Sequence, residues 1–255
     1  MVMKDPRQHP GPARIFTLDT PQHLAEQAAL EFQVRAKAAI QEAGRFAVVL
    51  SGGSTPTAML KELATPEHAP LVDWSRVHVF WSDERCVPPN DEHSNFAMAN
   101  ATLLSCVPIP ADNIHRMQGE LDPRGAADAY DRLLRKFFGA ETVFDLTYLG
   151  LGPDGHTASL FPNTEALDVK DRNCIANRAP GHVVSPWRLT LTYPAINASK
   201  ALIFLVQGKE KADIVARVLE GPRDLRQLPA QGIAPRGTLT WFLDEAAAAK
   251  LGRKS

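Results

Sequence analysis

Four stretches of the chain carry side chains that could do chemistry. The first, FDLTYLGLGPDGHTASLFP over residues 144–162, sets His156 behind Gly150, Gly152 and Gly155, with Pro153 and Asp154 between them. Imidazole, with an unperturbed pKa of about 6.5, can take and return a proton near neutral pH. The second, Ser51-Gly52-Gly53-Ser54-Thr55-Pro56, joins two glycines to three hydroxyls. Glycine lets backbone approach a ligand closely, and the first N–H groups of a helix have no partner within it, so such a loop suits an anion, phosphate above all. It is neither GxxxxGK[ST] nor GxGxxG. The third is Asp83-Glu84-Arg85, where Arg85 suits a phosphate or a developing oxyanion and Asp83 suits sugar hydroxyls. The fourth is Gly208-Lys209 at a helix start, a position slightly unfavourable for lysine unless it faces a bound phosphate. Each has a plainer reading as well. His156 could be a cap or a satisfied core histidine, 51–56 a capping turn, Asp83 and Arg85 a surface pair worth under about 1 kcal/mol, and Lys209 a solvated lysine.

The elements around these stretches place all four alike. Apolar runs rich in strand formers at 46–50, 77–81, 144–149 and 201–206 lead directly into them, and helices are expected at 57–63 and 212–219. Small residues after His156 read as a further helix start. Thr20-Pro21 opens a helix that Gly44 stops, Asp122-Pro123 opens one that Gly139 stops, and 95–104 is a helical run. Short strands are expected at 114–117, 173–177, 188–193 and 238–243, with a terminal helix from Asp244. Strands alternating with helices along the whole length predict an α/β fold, a modified Rossmann-like, mostly parallel sheet with helices on both faces. Ligands of such sheets bind at the carboxyl ends of the strands, where the four stretches lie.

Bulk properties narrow the function class. With 44% hydrophobic and 22% charged residues, 255 residues can bury a sizeable core. A net charge of -1 offers no basic field for nucleic acid or acidic membranes. No apolar run approaches the roughly 20 residues that span a bilayer. Cys86, Cys106 and Cys174 are far apart and odd in number, which fits free thiols in a reducing cytoplasm. There is no CxxC or HExxH, and no metal is expected. Residues 1–13 read as a loose leader without the apolar core of a signal peptide, and 14–255 as one α/β domain.

Taken in order, Ser51-Gly52-Gly53-Ser54-Thr55-Pro56, Asp83-Glu84-Arg85 with Val87-Pro88, Gly150 through Pro162, Arg188-Leu189-Thr190-Leu191-Thr192 and Gly208-Lys209 are similar to the motifs of one family. The chain resembles the 6-phosphogluconolactonases of the glucosamine-6-phosphate isomerase/6-phosphogluconolactonase family, from about Phe16 to Ala249. The resemblance implies a sheet of the deaminase/ribose-phosphate-isomerase type. It also implies hydrolysis of 6-phospho-D-glucono-1,5-lactone in the oxidative pentose phosphate pathway, by a monomer or weak homo-oligomer without cofactor. His156 would then be the general base, and Asp154 would orient it or contact the sugar. N–H groups around Gly152 and Gly155 would meet the oxyanion. Ser51, Gly52, Gly53, Ser54 and Thr55 would hold the phosphate with Lys209, and Arg85 or Arg188 would add charge. The related deaminases share the serine/threonine-glycine loop and the Asp-Gly-His turn. They usually carry an aromatic residue where Arg85 stands, and a glutamate assisting ring opening where Phe161 stands. Glucosamine-6-phosphate deamination and non-catalytic sugar-phosphate sensing are the two alternatives.

Overall fold

The computed structural model describes residues 13–181 and 185–252. The leader at 1–13 falls almost wholly outside the described residues, as does part of the loop before Trp187. The strands are β1 (Arg14–Leu18), β2 (Phe46–Leu50), β3 (Val77–Trp81), β4 (Asp83–Arg85), β5 (Leu146–Leu149), β6 (Cys174–Arg178), β7 (Trp187–Leu191), β8 (Ala201–Val206) and β9 (Thr238–Asp244). The helices are α1 (Pro21–Ala43), α2 (Ser54–Leu63), α3 (Asn95–Ala99), α4 (Pro123–Phe138), α5 (Tyr193–Asn197), α6 (Ala212–Glu220) and α7 (Glu245–Ala248).

Six strands form a sheet in the order β1-β9-β8-β5-β2-β3, with every pairing parallel. Its central strands β2, β5 and β8 are buried at every residue, so both faces are covered, as a parallel sheet of an α/β protein requires. From β2 the chain steps to β3 on one side and later returns to β5 on the other. The strand order therefore reverses beside β2, where a crevice opens at the carboxyl ends. A second sheet, β4-β7-β6, is antiparallel and pairs Arg85 with Arg188.

Local chemistry accounts for most helix ends. The Thr20 hydroxyl accepts from the His23 N–H (3.1 Å), and Pro21 occupies the first turn of α1. Gly44 closes that helix in the left-handed conformation (φ 73°), its N–H donating to the Ile40 carbonyl. Asp122 caps α4 through the Gly125 N–H (2.9 Å).

Five expectations are corrected. No helix follows His156, because Ala158 (φ 49°) and Asn163 (φ 60°) leave helical space and the chain runs through tight turns instead. Helix α2 starts at Ser54, three residues before the expected 57, which draws Ser54 and Thr55 into its first turn. Residues 114–117 make only a single bridge, Ile114 with Val79, and no strand. The run 95–104 widens into a π turn after Ala99. Asp83–Arg85, expected only as charges past the end of the 77–81 strand, is a strand of its own. Its charges hide it, since the buried Glu84 carboxylate is satisfied by the N–H groups of Arg85, Asn95 and Phe96 (2.7–2.8 Å) instead of by apolar packing. The edge strand β1, largely exposed, has no counterpart among the expected elements.

Candidate active site

Strands β2, β3, β5 and β8 end around one cavity of about 280 Å³ at the carboxyl edge of the sheet. His156, Asp83, Arg85 and the loop from Ser51 to Thr55 all line it. Three of the four chemistry-bearing stretches, distant in sequence, thus meet there, while Gly208-Lys209 does not line the cavity.

The turn after β5 folds back on itself. Gly152 N–H donates to the His156 carbonyl (2.8 Å), and Gly155 N–H donates to the Gly152 carbonyl (3.1 Å). A Cβ on Gly152 would lie 2.1 Å from the His156 ring, so glycine there lets the imidazole lie over the turn. Gly155 (φ 84°) sits against Leu228 rather than on the cavity wall. Of the N–H groups around Gly152 and Gly155 expected to meet an oxyanion, those of the two glycines themselves are spent inside the turn.

Asp154 Oδ1 lies 2.5 Å from His156 Nδ1 and accepts from the His156 N–H (3.1 Å). Burial alone would raise the Asp154 pKa, but the hydrogen bonds and charge of His156 outweigh it and hold the carboxyl below its usual range. An ionised Asp154 takes the Nδ1 proton as its hydrogen bond and leaves Nε2 with the lone pair. The Phe161 ring packs against the imidazole with centroids 4.7 Å apart.

The Ser51–Thr55 loop is shaped for an anion. Gly53 (φ 108°) adopts a conformation that other residues resist, and it precedes the first turn of α2 without a side-chain cap. The N–H groups of Ser54 and Thr55 thus have no acceptor within the helix, whereas Pro56 has none to offer. Gly52 is held by Asn95, whose Oδ1 would lie 1.9 Å from an added Cβ. The Ser51 hydroxyl is engaged elsewhere, bridging the Tyr148 carbonyl (2.8 Å) and Ser82 Oγ (2.7 Å), and its part is to set the loop.

The charged groups divide into two rows. Asp83 is 8% exposed, and its carboxylate accepts from Ser82 (3.0 Å) and Ser159 (2.7 Å), so it is occupied within the protein although it borders the cavity. Arg85 lines the cavity and donates to the His93 carbonyl (2.6 Å). Arg188, its cross-strand partner, does not line the cavity and donates to the Trp187 carbonyl (3.1 Å). Burial, then the charge of Arg85, pulls the Arg188 guanidinium below its ordinary pKa. Like charges facing across a ladder destabilise it, and an anion beside Arg85 would relieve the pair.

Lys209 is exposed and does not border the cavity. Lys211 takes its place on the wall, with Nζ donating to the Leu151 carbonyl (2.8 Å). The two lysines stand two residues apart in the 3₁₀ turn Lys209–Lys211, about 240° around its axis, so they point to different sides of it. Lys211 is a residue that reading the sequence missed, and its place two residues after Lys209 was the available signal. Asn95 was also missed, because only its contact with Gly52 marks it. Among the described residues, no three His, Cys, Asp or Glu side chains are placed to hold a metal, and no helix is long and apolar enough to cross a membrane.

Residues 19–241 match the family described as glucosamine-6-phosphate isomerases/6-phosphogluconolactonase. The chain belongs to this family. It is 42% identical to a 6-phosphogluconolactonase of Nostoc sp. over 84% of its own length and 88% of that protein's. It is 39% identical to a 6-phosphogluconolactonase of Synechocystis sp. over 93% of its length and 98% of that protein's. Among solved structures, the 6-phosphogluconolactonase of Thermotoga maritima superposes with a TM-score of 0.79 at 31% identity, covering 91% of this chain and 99% of that one. The family's description covers both isomerases and lactonases.

Proposed function

We propose that the chain hydrolyses 6-phospho-D-glucono-1,5-lactone to 6-phospho-D-gluconate, through the single α/β domain 14–255. The observation that carries this reading is the pair around His156: Asp154 on Nδ1 and the apolar Phe161 against the ring. A base so oriented can activate water. Phe161 cannot take part in proton transfer, which leaves the ring-opening chemistry of a deaminase without its assisting carboxylate.

The phosphate is held by the N–H groups of Ser54 and Thr55, their hydroxyls and Lys211, a charge-assisted set at a helix N-terminus. Fixing it there spends remote binding energy on placing C1 of the lactone near His156. His156 Nε2 takes a proton from water as the water oxygen bonds to C1. The negative charge that develops on the carbonyl oxygen is met by Arg85, the cation left on the cavity wall once the turn N–H groups are spent. The tetrahedral intermediate collapses, the bond from C1 to the ring oxygen breaks, and the imidazolium returns its proton to that oxygen. No oxidation state changes, so the reaction calls for no redox cofactor. The free cysteines Cys86, Cys106 and Cys174 fit a reducing cytoplasm.

The test compares the phosphorylated lactone with unphosphorylated glucono-1,5-lactone, each corrected for spontaneous opening. Losing two or more charge-assisted contacts is expected to lower kcat/KM by at least about 10²-fold for the unphosphorylated compound. Equal values for the two would contradict the phosphate site.

A further inference from the structure

We propose that Ser159 is a positioning residue for His156, clamped by the small antiparallel sheet so that the turn carrying the imidazole keeps one shape. The assignment rests on the hydrolytic reading of the site.

Ser159 is 1% exposed, and each of its polar groups is bound by a different strand. Its hydroxyl donates to Asp83 Oδ2 on β4 (2.7 Å). Its N–H donates to Thr190 Oγ1 on β7 (3.1 Å). Its carbonyl accepts from Asn177 Nδ2 on β6 (2.8 Å). The strands are supported in turn: Thr190 Oγ1 donates to the Leu191 carbonyl (3.0 Å), and Asn177 Nδ2 also reaches Thr164 Oγ1 (3.2 Å).

The residue before it explains why such a clamp is needed. Ala158 borders the cavity at φ 49°, a left-handed conformation that a Cβ disfavours. A strained conformation of this kind persists only when its surroundings over-determine it. On the near side the turn is tied by the Thr157 hydroxyl to the Gly150 carbonyl (2.8 Å) and by the His156 carbonyl to Gly152. On the far side it is tied through Ser159 and the Thr157–Leu160 bridge, and the next backbone tie to another segment is the Asn163 N–H on the Arg226 carbonyl (2.9 Å), five residues beyond Ala158. Releasing Ser159 lets Ala158 relax toward an unstrained conformation, and His156 is two residues away. This gives the three-stranded sheet a role, since the six-stranded sheet alone does not fix the turn. It also gives Asp83 one as the hydroxyl acceptor, in place of the sugar contact expected of it.

The experiment is steady-state hydrolysis of the phosphorylated lactone by Ser159→Ala, by Thr190→Val and by the double variant Ala158→Gly/Ser159→Ala, with thermal unfolding of each. Misplacing a catalytic group by about 1 Å costs up to about 10²-fold. Ser159→Ala is therefore expected to lower kcat about 10- to 100-fold, with KM within about two-fold because the phosphate loop is untouched. Thr190→Val, which removes the acceptor of the Ser159 N–H, is expected to show the same pattern, and it carries the test if Ser159→Ala does not fold. Glycine adopts positive φ without penalty, so the double variant is expected to regain most of the lost kcat. A purely structural loss would not be rescued by a more flexible residue. Wild-type kcat in both single variants, or a double variant no better than Ser159→Ala, would overturn the assignment. Failure of the wild-type protein to open the lactone above background would instead overturn the hydrolytic reading, and this assignment with it.

Discussion

Replacing His156 with alanine is expected to lower turnover by roughly 10²–10⁴-fold, the range for a lost general acid–base group. The variant keeps the Ser54 and Thr55 N–H groups, Arg85 and Lys211, so the phosphorylated lactone still binds and KM changes little. The loss falls on kcat because the proton is transferred only on the way to the transition state. Folding is expected to survive. The side chain is about one-quarter exposed and its contacts are the turn and Phe161, whereas the backbone bonds of the turn belong to the main chain. Initial rates at saturating lactone, with spontaneous opening subtracted, provide the check. Turnover near that of the wild type would remove His156 from the role of base.

The second large effect is on binding. Lys211→Ala is expected to raise KM about 10- to 100-fold, since a hydrogen bond to a charged group contributes about 1.5–3 kcal/mol. The effect should shrink in high salt, where charge interactions at the cavity mouth are screened. Lys209→Ala is expected to leave KM within about two-fold, because Lys209 lies outside the cavity. The pair separates the residue suggested by the motif from the one placed by the turn. Equal KM values for the Lys211→Ala and wild-type proteins would argue against a phosphate contact from Lys211. A larger effect from Lys209→Ala would reverse the assignment.

The contrast between the two lysines shows what was legible in the chain. Strands β2, β3 and β8 have the bounds expected for 46–50, 77–81 and 201–206, because a buried parallel strand is a short continuous apolar run ended by glycine or polar residues. The stops at Gly44 and Gly139 and the caps at Thr20 and Asp122 were legible because each is decided by one residue and its immediate neighbours. What could not be read depends on contacts distant in sequence. Glu84 is buried because α3 supplies N–H groups ten and more residues away. Gly52 is glycine because Asn95 fills the space beside it. The N–H groups of Gly152 and Gly155 looked available because a glycine turn exposes its amides, and only the folded turn shows them donating to its own carbonyls. Lys209 and Lys211 are two residues apart on different sides of one turn, and the packing of that turn against the strand ends decides which one reaches the cavity. The motifs thus located the site, while tertiary hydrogen bonds divided its residues into those that face a ligand and those that hold the others in place.

The most direct test of the account is the rate of opening of 6-phospho-D-glucono-1,5-lactone by the purified protein against the uncatalysed rate, with glucosamine 6-phosphate assayed in parallel for ammonia. Lactone hydrolysis far above background and no ammonia are expected. Lactone opening at the spontaneous rate, or release of ammonia from the amino sugar phosphate, would contradict it.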